Sequence, residues 1–119
     1  VRERGHGPSS GFKVGAALLA GLGRIHAGCN VGNAAYPQGL CAEAGAVAAM
    51  VAAGGTRIAA AVVVGEGPRL TTPCGGCRQK LREFAGDDLP VIVADGQTVR
   101  ARFTLGELLP ASFGPEHLG

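Results

Sequence analysis

Three cysteines and one glutamate are spaced as a reactive metal site would need them. Cys41 stands two residues before Glu43, and Cys74 and Cys77 form a Cys-x-x-Cys pair directly after Pro73. Zinc takes thiolate ligands, and a catalytic zinc keeps one of its four positions open for water. Three thiolates beside a carboxylate that is not itself a ligand meet that requirement. The metal acidifies the water and the carboxylate moves protons, which is the chemistry of hydrolysis at an electrophilic carbon. The competing readings are a structural zinc site of four cysteines and a redox Cys-x-x-Cys pair. The first would have to recruit Cys29, whose gap to Cys41 is too long for the usual close pair. The second leaves Cys41 and Glu43 without a part. Cys29 itself reads as a small buried hydrophobe, and His6, His26 and His117 stand at no ligand spacing. For Glu43 the bland reading is a favourable charge in a first helical turn.

The elements that must position these residues follow from pattern and punctuation. Residues 41–53 are Ala-rich, free of Pro and followed by Gly54-Gly55, which predicts a helix with a glycine stop. Residues 58–65 predict a buried strand. Thr72-Pro73 then introduces a second helix over 74–86. Cys41 and Cys74 both fall at helix starts, where unpaired N–H groups and the helix dipole favour thiolate. Upstream, 12–20 and 24–31 predict a hairpin joined by Gly21-Leu22-Gly23, and 32–40 a loop. Downstream, 90–94 and 98–104 predict strands, and TLGELL a short closing helix. The order ββαβαββ implies an α/β domain, a mixed sheet of about five strands with helices on its faces. No repeat or linker divides the chain, so 1–119 reads as one domain.

Composition narrows the partners. The chain has 119 residues, a formal charge of +2, 21 glycines and five aromatics: Phe12, Tyr36, Phe84, Phe103 and Phe113. Its basic residues are scattered, which argues against a polynucleotide partner. No apolar run reaches the roughly 18 residues of a membrane span, and the first residues do not read as a signal peptide. The expected compartment is the cytoplasm, where thiols stay reduced.

The Cys-x-Glu and Pro-Cys-x-x-Cys segments together match the pattern of the zinc deaminases. Beyond them, the chain resembles the small homo-oligomeric cytidine deaminases at Phe12–Leu18, Gly28–Val31, Asn33–Tyr36, PCGGCRQ at 73–79 and LLPASFGPEHL at 108–118. The metal motif is common to the superfamily; the N- and C-terminal stretches narrow it to the nucleoside branch. The resemblance implies a three-layer cytidine-deaminase-like fold, Zn²⁺ on Cys41, Cys74 and Cys77, Glu43 as proton shuttle, and a homotetramer with active sites near subunit boundaries. It implies that Phe12 lines a pyrimidine pocket, that Phe113 reaches into it from a neighbouring subunit, and that Asn30 binds ribose. Backbone groups of Ala42 and Thr72 would orient the base and the leaving amine. The plain alternatives are core packing for both phenylalanines and a strand-end cap for Asn30. Tyr36 either contacts a neighbouring subunit or packs its own loop.

Three departures bear on the substrate. Gly32 stands where the family has a ribose-binding Glu, and Ala44 where it has an Arg that offsets thiolate charge. The usual leading helix is missing, and the Tyr-x-Pro-Tyr-Ser segment appears as His6-Gly7-Pro8-Ser9-Ser10. The leading expectation is deamination of cytidine or 2′-deoxycytidine in pyrimidine salvage. The alternative is another cytosine-like heterocycle, as in the blasticidin S deaminases.

Overall fold

Gly21, Leu22 and Gly23 turn the chain back on itself. Gly23 takes φ +86°, a conformation open to glycine, and its N–H donates to the Ala20 carbonyl at 2.9 Å. The structure is a computed structural model that describes residues 1–8 and 11–119. In it the turn joins β1 (Gly15–Ala20) to β2 (Ile25–Cys29). The chain continues through α1 (Ala42–Ala52), β3 (Ile58–Val64), α2 (Gly75–Arg82), β4 (Pro90–Ala94), β5 (Val99–Thr104) and α3 (Leu105–Leu108). The strands lie in the order β2-β1-β3-β4-β5. β3 and β4 pair in parallel and the other three pairs are antiparallel. A parallel pair needs a crossover between its strands, and α2 supplies it. The architecture is therefore α/β with a mixed five-stranded sheet, as expected.

Alternation along β1 puts Ala16, Leu18 and Ala20 into one core, joined by Val91 of β4 and by Ile58 and Ala61 of β3, which a register shift opposite Leu19 and Ala20 brings to the same face. Ala42, Ala46 and Met50 of α1, Leu81 of α2, Ala85 and Leu89 of the link to β4, and Leu105 of α3 complete it. The 3-10 turn Arg2–Arg4 meets the sheet at Gly15, where a Cβ would lie 3.0 Å from the Arg2 nitrogen. Small residues let α1 approach closely. A Cβ on Gly28 would strike the Ala42 carbonyl and lie 2.5 Å from the Ala46 nitrogen and 2.9 Å from the Gly45 carbonyl carbon. The first turn of α1 thus rests on the bare backbone of β2.

Several boundaries differ from expectation by a residue or two, and two by more. β1 begins at Gly15 rather than at Phe12 because the Asn30 side chain replaces the ladder there. Val14 N–H donates to Asn30 Oδ1 at 2.9 Å, and Asn30 Nδ2 donates to the Phe12 carbonyl at 2.8 Å. α2 ends at Arg82 rather than Gly86, because the chain tightens into a turn from Phe84 N–H to the Leu81 carbonyl. The Phe84 carbonyl then accepts from Ile58 N–H at 3.0 Å. His6 bridges Val31, laying the N-terminal segment beside residues 30–32. Ser9 and Ser10, which the sequence comparison included, lie outside the described residues.

Candidate metal centre

Cys41 and Cys74 each sit immediately before a helix with extended backbone, at φ −75°, ψ 153° and φ −67°, ψ 168°. Neither helix start is capped by a side chain among the described residues, so first-turn N–H groups are left to an anionic neighbour. Cys77 lies one turn into α2 and is fully buried. The three Sγ atoms lie within 4.8 Å of one another, and Cys41 Sγ is 3.9 Å from Cys74 Sγ. Tetrahedral zinc with bonds of about 2.3 Å requires sulfurs about 3.8 Å apart. The donor set and its spacing fit zinc. Cys29, half-buried at the end of β2, and the three histidines stand outside this cluster.

The thiols differ in their electrostatics. Burial pushes Cys77 and Cys41 up, whereas the Cys77 backbone N–H holds Cys74 down. A coordinated dication would reverse the balance and hold all three as thiolates. Glu43, in the first turn of α1, is only 5% exposed. Its burial raises the carboxyl above the ordinary range, while its own backbone N–H and the charge of Lys80 pull the other way. Ala44 leaves its position without a cation.

Cys41, Cys74, Glu43, Ala42, Asn30 and Thr72 line one cavity of about 410 Å³. Carboxyl, thiols and open space therefore converge, as metal-assisted hydrolysis of a small molecule requires. The Asn30 amide is largely committed to the backbone of Phe12 and Val14; one amide hydrogen remains for a ligand. Phe12 borders a neighbouring cavity of about 590 Å³ that shares Thr71 and Thr72. Phe113 stands away from the cavity of its own chain and stacks on His117, ring centroids 4.8 Å apart. Tyr36 lies at the cavity rim, 78% exposed. Sequence reasoning missed Val14, Leu40 and Thr71 as lining residues. They are ordinary residues whose only signal is adjacency to the motifs.

Residues 1–93 match the family described as the cytidine and deoxycytidylate deaminase zinc-binding region. A cytidine deaminase from Sporosarcina psychrophila is 39% identical over 118 residues, 99% of this chain and 87% of that protein. One from Mycobacterium tuberculosis is 43% identical over 111 residues, 93% of this chain and 80% of that protein. Among solved structures, cytidine deaminase from Burkholderia pseudomallei superposes with a TM-score of 0.86 at 43% identity. That match covers 94% of this chain and 90% of the other.

Proposed function

The chain belongs to the cytidine and deoxycytidylate deaminase family, and from that premise we propose that it converts cytidine and 2′-deoxycytidine to the uridines with release of ammonia. The observation that carries the reading is a cluster of three sulfurs, two of them, Cys41 and Cys74, lining one cavity with the buried Glu43. In this reading Cys41, Cys74 and Cys77 hold Zn²⁺, and residues 1–119 act as one domain. The relatives and the solved structure described above are cytidine deaminases, which favours this reading over the blasticidin-type alternative.

Zinc held by Cys41, Cys74 and Cys77 would acidify the attacking water. Glu43 accepts a proton from that water and delivers it to ring N3, which makes C4 electrophilic. The water oxygen bonds to C4. Its second proton passes through the same carboxyl to the 4-amino group as the C4–N bond breaks, leaving the carbonyl of uracil and ammonia. A carboxyl raised by burial suits this double duty, because it must both take and give. Asn30 and the backbone of Ala42 and Thr72 orient the nucleoside, and Phe12 contributes from the adjoining wall.

Exposure of Phe113 (55%) and Tyr36 (78%) supports a homotetramer in which Phe113 completes a neighbouring subunit's pocket. Sedimentation as a monomer at working concentration would overturn that assembly. No helix among the described residues is long and apolar enough to cross a membrane, and we place the enzyme in cytoplasmic pyrimidine salvage. The decisive measurement is ammonia release from cytidine, deoxycytidine, cytosine and blasticidin S. Turnover confined to the last two would sink the nucleoside reading.

A further inference from the structure

Arg78 directly follows Cys77, and its guanidinium binds no carboxylate among the described residues. It makes three other bonds instead. Nε donates to the Pro73 carbonyl at 2.7 Å, Nη1 to the Leu108 carbonyl at 2.7 Å and Nη2 to Thr72 Oγ1 at 3.1 Å. Two of these acceptors belong to the residues just before Cys74, and the third to the last residue of α3. One planar fork therefore ties the chain entering the metal centre to α2 and α3 together.

Other ties hold the segment farther from the cysteines, among them Arg2 Nη2 donating to Glu66 Oε1 at 2.9 Å. Between β3 and α2, Gly65 N–H donates to the Ala94 carbonyl at 3.1 Å. Arg100 gathers the carbonyls of Gly67, Pro68 and Arg69 at 2.8–3.4 Å. For residues 72 and 73, Arg78 provides the hydrogen bonds that the described residues show. Thr72 lines the cavity beside Glu43, and Cys74 contributes one of the three clustered sulfurs. A shift of the Thr72–Pro73 wall would move both.

We propose that Arg78 is a positioning residue of the metal centre. Through Thr72 and Pro73 it sets where the cavity wall stands and where Cys74 Sγ meets the other two sulfurs. The task needs the fork. A lysine at this position keeps the charge but offers a point donor on a flexible stem, without the guanidinium's fixed in-plane geometry. The inference presupposes the zinc site and deaminase activity proposed above.

The test compares the wild-type protein with Arg78→Gln, Arg78→Lys and Thr72→Val at a temperature where each is folded by circular dichroism. Zinc release to a chromogenic chelator is followed alongside KM and kcat for cytidine. Arg78→Gln is expected to release zinc faster and to lose kcat/KM by about 10–100-fold, the scale on which ~1 Å misplacements act. Arg78→Lys should recover little of either. Thr72→Val should raise KM, and adding it to Arg78→Gln should cost less than the sum of the two single losses. If Arg78→Gln does not fold, Arg78→Lys and Thr72→Val carry the same comparison. Folded Arg78 variants with wild-type zinc release, KM and kcat would overturn the proposal while leaving the deaminase reading intact, as would full rescue by lysine. A wild-type protein that neither holds zinc nor releases ammonia would overturn both.

Discussion

Replacing the Glu43 carboxylate with an amide keeps its size and burial but removes its capacity to carry a proton. Glu43→Gln is expected to retain zinc and fold while losing about 10³-fold or more in turnover, the middle of the range that general acid–base catalysis contributes. Metal analysis beside an ammonia assay decides it, and activity above a tenth of wild type would contradict the proposed shuttle. Gly32 is a different matter. Restoring the family's carboxylate looks simple from the sequence, but a Cβ there would lie 3.1 Å from the His6 carbonyl and 3.6 Å from Gly7 Cα. Gly32 N–H also donates to that same His6 carbonyl, so the N-terminal segment cannot yield without breaking its bridge. Gly32→Glu is therefore expected to cost about 1–3 kcal/mol, as overpacking does, and to leave KM for cytidine no lower than before. Thermal melts and steady-state kinetics test both parts. The residues of the metal cluster were legible in the sequence because each pair is local, two or three positions apart. A strand-end cap for Asn30 was legible as an alternative, but its partners Phe12 and Val14 were not, since they depend on how the chain enters β1.

At the scale of elements, α1 is registered against β2 by the contact at Gly28. Gly28→Ala would drive a methyl into the Ala42 carbonyl and the Gly45–Ala46 backbone, and backbone cannot swing aside as a side chain can. The expected result is destabilisation of about 1–3 kcal/mol with weakened zinc retention, because Cys41 and Glu43 ride on the displaced turn. Unchanged melting temperature and zinc content would show that the helix has room. The C-terminal turn makes a pH-dependent prediction. Arg82 donates to Glu116 and to Ser112 Oγ, the latter at 2.8 Å, and the guanidinium holds the Glu116 carboxyl below its ordinary range. A depressed acid contributes stability above its unfolded pKa and loses it as pH falls through the folded one. Amide exchange over 112–118 should therefore speed up below the ordinary carboxylate range, and Glu116→Gln should abolish that step. The order of elements was legible from alternation and glycine stops. The early end of α2 was not, because the turn at Phe84 is fixed by a bond from Ile58, a partner distant in sequence.

For the whole molecule, zinc that only the folded site can hold would couple metal binding to folding. Stripping zinc with a chelator should lower the melting temperature by roughly 10 °C or more, on the conversion of several °C per kcal/mol for a domain of this size. An unchanged melt with zinc demonstrably gone would separate the two. That the chain forms an α/β layer structure was legible from the sequence; the surface on which the proposed subunits would meet was not, since the exposure of Phe113 and Tyr36 is a property of the folded chain. The spacing of Cys41 and Cys74, 33 positions apart with β3 between them, has a consequence for the unfolded chain. Unfolding parts the two sulfurs and releases an ion that only the folded chain can hold, so binding stabilises the fold by about 4 kcal/mol where free zinc stands roughly 1,000-fold above its dissociation constant. That is a large share of the ~5–15 kcal/mol by which natural domains persist. A cell short of zinc would then accumulate less of this protein, through degradation of unfolded chains, before it accumulated an intact but idle one.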